Sequence, residues 1–543
     1  MSVQPHTPGP IPPQKPARKS SKLQTAALTM IVATLLSRVL GMVRDIAIAY
    51  AFGANDNTDA YIAAFRIPDL MTYLIAGGAL SSTFLPVFSD YLEKNDEPGA
   101  WKTFSVVTTI TLIAGIIFVV FAEIFAPQLV LLLNHGYVGH PEKAELAAYL
   151  ARIVLPSQIF FLVGGLLMGT QNARGRFLVP ALGPSIYNAG IIVGALAAIP
   201  LHLGLPALMW GALAGAFVGN FLLQLIAVRG TGIRFSPTVD TKDPGAVRVW
   251  KLMLPIIMGA SLPNVDPIIN GAFASELGKG AQTALQYSNR LMLIPIGIFA
   301  QATMVALFPS MTAQAAAMRH DLLRGTIQRG LSKILFLTVP ASALFFILAE
   351  PIVALVFQHG KFHAADTLLT AEALRCYSLG IFAWSAQAIL TRGFYAIQDS
   401  RYPVMSGTVM TVVFIGMNAF VIHRTHWGVA GLAAATSVAA AMHAASMYWV
   451  LRKRMRGLAT PAMAVSAAKI ALSTSALCLT AAAIDHLCTN FAGGATASFR
   501  SALLHTVLAG SGGTIIYLIA ARVLRMPEAA TAIGLFRRKK AVM

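Results

Sequence analysis

Charged residues are scarce in this chain. Only 12% of its 543 residues are Asp, Glu, Lys or Arg, and its mean hydropathy is +0.67. This composition excludes an ordinary soluble globular protein, in which about 25% of residues are charged. Apolar runs of roughly 20 residues, long enough to cross a bilayer as a helix, recur along nearly the whole sequence. The sequence therefore predicts an all-α polytopic membrane protein.

Cysteines and long polar stretches are also rare. Cys376, Cys478 and Cys488 lie in or beside apolar segments and form no CxxC or Cys/His pattern, so we expect free, buried thiols, and neither a disulfide framework nor a zinc site is supported. No polar stretch is long enough for a soluble nucleotide-binding domain, and no loop carries a metal-binding pair or a nucleophile with a base. We therefore expect a transporter without a resident cofactor or metal, and not an enzyme.

Positive charge is abundant, with a net charge of +19. In a soluble protein this excess would suggest a nucleic acid partner. Here, however, the basic residues concentrate in the tails and in alternate short loops between apolar segments, so we expect no nucleic acid partner. By the positive-inside rule those loops and both termini are cytoplasmic, which agrees with an even number of about fourteen membrane helices.

A repeat with an offset of 223 or 224 residues runs through the apolar segments. Its landmarks are Arg66/Arg290, Pro86/Pro309, Pro127/Pro351, His135-Gly136/His359-Gly360, Gly169/Gly393 and Pro180/Pro403. Each copy holds six predicted helices, an even number, so both copies have the same orientation in the membrane. We expect two parallel lobes related by a pseudo-twofold axis along the membrane normal, with a substrate site between them.

The predicted organisation follows from this repeat. A disordered basic cytoplasmic tail (1–22) precedes an N-terminal lobe (23–230) and a C-terminal lobe (245–456). Two additional helices (457–526) and a second basic cytoplasmic tail (527–543) complete the chain.

Four arginines inside predicted membrane helices form a candidate set: Arg38 and Arg44 in the first, Arg66 in the second and Arg290 in the eighth. An arginine at the bilayer centre costs ~2.5–3.5 kcal/mol on insertion scales, so it tends to face a polar path or a ligand. Its guanidinium stays protonated and binds phosphate oxygens in a bidentate fork. The set predicts a cavity for an anionic substrate, foremost a phosphate or pyrophosphate. The alternative is that these side chains snorkel to headgroups or pair with nearby acids, as Asp45 allows for Arg44.

Asp45, Asp59 and Asp266 are candidates for a coupling or structural role. Asp59 is predicted to cap the second helix. Asp266 lies in the middle of an apolar segment, beside Pro267, and is a candidate ligand for a coupling cation of unknown identity. Arg152 in the fourth predicted helix and Arg375 and Arg392 in the tenth are expected to be members of structural ion pairs.

Several stretches carry a family resemblance. They are SRVLGMVRD (37–45), FGANDNTDAYIAAFRIPDL (52–70), GGALSSTFLPVF (77–88), YSNRLMLIPIGIFAQATMVALFPSM (287–311), FQHGKF (357–362) and FYAIQDSRYPV (394–404). Together they resemble the MurJ/MviN family of lipid II flippases, within the multidrug/oligosaccharidyl-lipid/polysaccharide exporter superfamily.

The resemblance implies a flippase that moves undecaprenyl-pyrophosphate-linked peptidoglycan precursor (lipid II) across the bacterial inner membrane by alternating access, for cell wall biogenesis. Its implied cavity arginines are Arg38, Arg44, Arg66 and Arg290, and its implied tail-binding groove is formed by the last two helices. Membrane lipids and other cell-wall synthesis proteins are the further implied partners. The sequence departs from many members at Thr72, where they carry arginine, and at Gly77 and Asn289, where they carry acidic residues.

Three alternatives remain open at this stage. One is a flippase for another polyprenyl-linked glycan, or a drug exporter, of the same superfamily. A cationic-drug exporter would be expected to carry acids in its cavity, whereas the clearest buried charges here are arginines. The others, from different classes, are a non-transporting cell-wall scaffold and a membrane enzyme.

Overall fold

The computed structural model describes residues 19–72, 79–455, 457–458 and 461–529, and all regular secondary structure within these ranges is helical. The expectation of an all-α polytopic protein is confirmed. The first helix begins at Lys19, inside the range 1–22 that the sequence predicted as a disordered tail, because the helix extends outward from the apolar run. The rest of that tail, residues 530–543 and Gly77 lie outside the described residues.

The first half of the molecule contains ten helices. They are α1 (Lys19–Phe52), α2 (Asp56–Met71), α3 (Ala79–Glu93), α4 (Glu97–Ile124), α5 (Ala126–Leu133), α6 (Pro141–Val154), α7 (Ser157–Ala173), α8 (Leu178–Ala198), α9 (Pro206–Ala216) and α10 (Leu223–Arg229). A 3₁₀ turn spans His135–Gly139, and a π-helical turn, Phe217–Leu222, joins α9 to α10.

The second half follows a linker at 230–243. Its helices are α11 (Pro244–Ala274), α12 (Ala281–Pro295), α13 (Gln301–Ala316), α14 (His320–Ile347), α15 (Ala349–Phe357), α16 (Ala364–Ser378), α17 (Ile381–Ala396), α18 (Arg401–Arg424) and α19 (Gly428–Arg454). A π-helical turn, Ile296–Ala300, joins α12 to α13. The C-terminal segment contains α20 (Pro461–Ala492), α21 (Phe499–Leu504), a π-helical turn (His505–Ala509) and α22 (Gly510–Val523).

The predicted apolar segments correspond to one helix each or to two or three consecutive helical pieces. Two short helices, α5 and α15, were not predicted, because eight or nine residues are too few to produce a membrane-length hydropathy signal. They occupy equivalent places in the two copies of the repeat, directly after α4 and α14. Among the described residues, 9 helical spans are long and apolar enough to cross a membrane. The total of fourteen crossings stays a prediction.

Local sequence sets the start of the helices that lead into the cavity. The Asn55 side chain accepts hydrogen bonds from the backbone N–H groups of Asn57 (2.9 Å) and Thr58 (3.3 Å), while Thr58 Oγ1 accepts one from Asn55 N (2.8 Å). This reciprocal capping box fixes the first turn of α2. At the start of α11, the Asp243 carboxylate accepts from Ala246 N (2.8 Å), and Pro244 provides a first helical residue that needs no N–H partner.

The two halves meet tightly at one end of the molecule, which we call the sealed end (residues 50–59, 134–140, 275–283 and 358–363). Gly136 N donates to Ser275 Oγ (3.0 Å), and Lys361 N donates to the carbonyl of Tyr50 (3.0 Å). Each contact joins the segment after a short helix of one half to the end of the first helix of the other half. The repeat offset in the sequence thus corresponds to a reciprocal pair of contacts in space.

The C-terminal helices pack on the second half. α20 contacts both α22 and α14. The ring of Tyr517 lies 5.2 Å from that of Phe336, and Tyr517 donates a hydrogen bond to the Phe336 carbonyl (2.7 Å). Much of the remaining surface of α20 is apolar and exposed, including Leu472, Leu479 and Phe491, as expected of a helix that faces lipid.

Candidate functional site

A cavity of about 520 Å³ lies between the two halves. Its wall includes residues of α1, α2 and α8 from the first half and of α11, α12, α16, α17 and α19 from the second. Six of these helices are not among the 9 described spans that are long and apolar enough to cross a membrane: α1, α2, α11, α12, α16 and α17. Several of their charged residues, among them Arg44, Arg66 and Asp266, line this shared cavity, where a charge avoids the cost of contact with lipid.

Arg44 lines the cavity and is held by two partners. Its Nε and Nη2 donate to Asp45 Oδ1 (3.0 and 2.7 Å), and its Nη1 donates to Asn188 Oδ1 on α8 (3.1 Å). The expected pairing of Arg44 with Asp45 is therefore present. It does not exclude a role in the cavity, because a guanidinium has five N–H donors in a fork.

Arg290 enters the cavity from the opposite half. Its side chain is 48% exposed, and its Nε lies 3.6 Å from Asp45 Oδ2. The Asp45 side chain is only 2% exposed, so one buried carboxylate lies between two guanidiniums, one from each half. A multivalent anion that enters the cavity meets Arg290 as its most accessible cation.

Arg66 lies deeper in the wall and is buried. Its Nη1 donates to the Pro267 carbonyl of α11 (2.6 Å), which is a further contact between the halves. Gly271, one helical turn further along α11, leaves room for the guanidinium, because a Cβ on that residue would overlap the Nη2, Cζ and Nε atoms of Arg66. The predicted equivalence of Arg66 and Arg290 therefore extends to the wall of a common cavity, although their exposure differs.

Arg38 is placed differently from the other three. It lies on an exposed face of α1, and its Nη1 would be 2.5 Å from a Cβ built on Gly297, in the π-helical turn between α12 and α13. It is absent from the lining of the 520 Å³ cavity. Arg38 thus adjoins the cavity along α1 without contributing to the lining that Arg44, Arg66 and Arg290 share.

The acidic candidates fall into separate places. Asp266 lies in the cavity wall together with Asp69. Asp45 holds the arginines, as described above. Asp59 belongs to the sealed end.

The prediction that Asp59 caps the second helix is wrong, since Asn55 performs that role. Asp59 instead caps α12 of the opposite half. Its Oδ1 accepts from Thr283 N (3.0 Å) and Thr283 Oγ1 (2.7 Å), and its Oδ2 accepts from Gly280 N (2.9 Å). The positive end of a helix dipole favours a carboxylate at such a position. Lys143 Nζ, 3.1 Å from Asp59 Oδ2, completes a buried ion pair.

Sequence reasoning missed Lys143, Asn188, Gln282 and Thr283. Gln282 joins the halves because it donates to Asn134 Oδ1 (2.8 Å) and to the Gly271 carbonyl (2.7 Å) and accepts from the Tyr137 hydroxyl (2.8 Å). The repeat contained a signal for one of them: Thr283 lies 224 residues after Asp59, its partner. Equivalent residues of a twofold-related pair approach each other near the axis.

Two of the three positions at which the sequence departs from the family, Thr72 and Asn289, lie within the described residues. Thr72 Oγ1 donates to Gln158 Oε1 (3.0 Å), so this position is hydrogen-bonded within the first half. Asn289 lines the cavity beside Arg290. Of the three arginines expected in ion pairs, Arg375 forms one with Glu350 (3.5 Å). Arg152 and Arg392 form none with any described residue: Arg152 Nε donates to the Glu123 carbonyl (3.1 Å), and Arg392 lies over the Phe308 ring, 5.0 Å from its centroid.

Comparison with known proteins gives a consistent result. A family model described as "Lipid II flippase MurJ" matches residues 48–500. The lipid II flippase MurJ of Burkholderia cenocepacia is 32% identical over 437 residues, covering 79% of this chain and 84% of that protein. The probable lipid II flippase MurJ of Vibrio cholerae is 31% identical over 441 residues, covering 79% and 83%.

Solved structures show the same fold. A lipid II flippase MurJ in an inward closed conformation superposes with a TM-score of 0.75 at 24% identity, covering 91% of this chain and 98% of that one. An inward-facing multidrug resistance MATE family transporter gives a TM-score of 0.63 at 19% identity, covering 79% and 98%. Because both sequences are less than 25% identical to this chain, the superpositions show a shared fold and nothing more.

Proposed function

The chain belongs to the lipid II flippase MurJ family, and we propose that it carries lipid II from the inner to the outer leaflet of the cytoplasmic membrane by alternating access. Members of this family are transporters, so the chain is a multi-pass membrane transporter and not an enzyme. The observation that carries the proposal is that Arg44, Arg66 and Arg290, drawn from both halves, line one cavity.

The arginines bind the pyrophosphate of lipid II in this mechanism. Arg290 and Arg44 converge on Asp45, and Arg38 lies further along α1. A pyrophosphate offers more acceptor oxygens than one carboxylate and forms charge-assisted, bidentate hydrogen bonds with guanidinium groups. It therefore competes with Asp45 for both guanidiniums. In the empty protein Asp45 holds those charges in place, and in the loaded protein the substrate takes over part of that role.

Alternating access follows from the arrangement of the halves as two lobes. The basic loops support cytoplasmic termini, and in that orientation the sealed end faces the periplasm. Loading then takes place from the cytoplasmic leaflet, and release requires the contacts of Asp59, Gly136 and Lys361 to part. The segment 457–526 provides an apolar surface for the polyprenyl tail, and the lipid stays in hydrocarbon while its headgroup crosses in the cavity.

Asp266 is the candidate for cation coupling. It lies in the cavity wall, and the described residues include no basic side chain within ion-pair distance of it. A carboxylate without a cationic partner inside a membrane protein is a reasonable ligand for a coupling cation. Asp266→Asn should then remove any sodium dependence of transport while leaving lipid II binding in the absence of sodium unchanged.

Complementation tests the proposed function. A bacterium depleted of its own lipid II flippase should be rescued by the wild-type chain and not by Arg290→Ala. The matched control is Arg375→Ala, which removes an arginine that pairs with Glu350 outside the cavity and should still rescue. If the wild-type chain, expressed and inserted in the membrane, leaves lipid II in the inner leaflet, the proposal is wrong. Full rescue by Arg290→Ala would contradict the binding of the lipid II pyrophosphate by Arg290.

A further inference from the structure

A second chamber of about 420 Å³ adjoins the cavity within the second half. Its wall is formed mainly by α17, α18 and α19, and it shares Asp266, Trp384 and Thr436 with the first cavity. The size lies within the roughly 300–1,000 Å³ typical of small-ligand sites. The two spaces therefore meet at a junction defined by these three residues.

Arg392 on α17 gives this chamber its charge. Two other arginines of the second half have acidic partners: Arg375 pairs with Glu350 and Arg454 with Asp399. Arg392 has no acidic partner within ion-pair distance among the described residues. Instead, its guanidinium lies over the rings of Phe308 (5.0 Å) and Tyr395 (6.0 Å). An arginine stacked on an aromatic ring retains its in-plane N–H fork for a ligand.

The rest of the lining fits a polar ligand that carries negative charge. Asp266 at the junction is the only acidic residue in the described wall, so the interior beyond it is positive. Gln387, which donates to the Ala440 carbonyl (2.7 Å), and His443, within 3.1 Å of Ser406 Oγ, add fixed polar groups. The indole of Trp384 at the junction offers an apolar face of the kind that packs against a sugar ring.

We propose that this second chamber binds the peptide stem of the substrate, with Arg392 pairing with one of its carboxylates. The inference rests on the proposed function, because lipid II bears its sugars and peptide directly beyond the pyrophosphate. With the pyrophosphate at Arg44 and Arg290, the headgroup continues past Trp384 into the second chamber. Arg392 then distinguishes a free carboxylate from its amide, since only the carboxylate forms a charge-assisted pair with the guanidinium.

Binding measurements on the full chain in phosphatidylcholine nanodiscs test this. The probes are lipid II with free stem carboxylates, the same lipid with those carboxylates amidated, and the pyrophosphate-linked disaccharide lipid without peptide. The wild-type protein should prefer the first probe by about tenfold, the usual order for one charge-assisted hydrogen-bonded pair. Arg392→Gln should abolish that preference and leave the affinity for the peptide-free lipid within about twofold. Arg392→Lys should retain part of it, because it keeps the charge but not the fork.

Arg375→Gln is the matched control and should keep the full preference, with thermal melting confirming that each variant is folded. Equal loss of affinity for all three probes in Arg392→Gln, or equal binding of the first two by the wild type, would overturn the inference. A further experiment adds phosphatidylglycerol as a competitor. If it displaces the free-carboxylate probe from the wild type but not from Arg392→Gln, the chamber binds anionic phospholipid and the assignment to the peptide is wrong. Failure of the wild type to bind any probe would count against the proposed function itself.

Discussion

Asp45 on α1 lies 3.6 Å from the Nε of Arg290 on α12 and 2.7 Å from the Nη2 of Arg44, its own neighbour in the chain. One buried carboxylate therefore connects the two halves beside the cavity that Arg44 and Arg290 line. It is 2% exposed, so water screens the attraction weakly. Any anion that binds the two guanidiniums must compete with Asp45, which couples occupancy of the cavity to the contact between the halves.

Asp45→Asn should therefore affect binding and transport in opposite directions. Without the competing carboxylate, affinity for lipid II in nanodiscs should rise by about threefold to tenfold, because both guanidiniums become available to the pyrophosphate. Transport in vesicles should fall, since Asp45 no longer holds Arg290 after release and only Asn188 still holds Arg44. Asp90→Asn, which removes an exposed carboxylate paired with Arg248, should change neither quantity. A weaker affinity in Asp45→Asn would show that Asp45 orients the arginines and does not compete for them.

Asp59→Asn should loosen the sealed end. The substitution removes the charge that Thr283 N, Gly280 N and Lys143 share, at a residue that is 1% exposed. Loss of a buried charge-assisted contact costs on the order of 1–3 kcal/mol, which raises the population of the separated state. The measurement is the rate at which a membrane-impermeant maleimide labels Ala281→Cys, a buried position, in a chain whose three cysteines are replaced by serine.

The control for this experiment lies one helical turn away. Asp56 also pairs with Lys143 (3.0 Å) and with the exposed Lys279 (3.7 Å), but it is 42% exposed and forms no hydrogen bond with a described residue of α12. Asp56→Asn should leave the labelling rate within about twofold of the wild type, as is usual for exposed ion pairs. Equal acceleration by both substitutions would mean that the charge of Lys143, and not the cap on α12, keeps the end closed.

Asp243, the last residue of the linker at 230–243, should contribute to the stability of the fold. Asp243 accepts from Ala246 N (2.8 Å) and from Thr103 Oγ1 on α4 (3.0 Å), and it is 4% exposed, so Asp243→Ala should lower the free energy of unfolding by about 1–2 kcal/mol. Asp240→Asn should have a much smaller effect, because its ion pair with Lys102 is exposed to solvent. Thermal melting in detergent, compared at one protein concentration, measures both.

The ion pair of Asp240 with Lys102 should make stability weakly dependent on pH, with a sign that can be predicted. The hydrogen bond from Lys102 lowers the pKa of Asp240 below its ordinary value. A carboxyl group with a lowered pKa stabilises the folded state at pH values above its ordinary pKa, and this contribution is lost as the pH falls. The difference in melting temperature between the wild type and Asp240→Asn should therefore shrink toward acidic pH. A difference that grows on acidification would contradict the contact.

Hydropathy and charge predicted the helical segments because both signals are local and repeated along the chain. The arginines were found for the same reason, since a charge inside an apolar run stands out. Pairings across the halves, such as that of Asp45 with Arg290, depend on tertiary approach and leave no local pattern. Asp59 illustrates the limit: its position at the start of a helix suggested a cap, but only the packing of α2 against α12 determines which helix it caps.

Gly136 and Gly360 should both be intolerant of alanine, because the repeat places both at the contact between halves. A Cβ on Gly136 would overlap the Ser275 carbonyl, and one on Gly360 would overlap the Tyr50 carbonyl; Gly360 also has a left-handed φ of +60°. Each overlap involves backbone, which cannot move aside as a side chain can, so each alanine should cost about 1–3 kcal/mol of sealed-end contact and speed labelling of the buried cysteine. Gly139→Ala, whose Cβ meets no atom within 4 Å, is the control and should behave as wild type. If Gly136→Ala opened the sealed end and Gly360→Ala did not, closure would not depend on both of the equivalent contacts made by the two copies of the repeat.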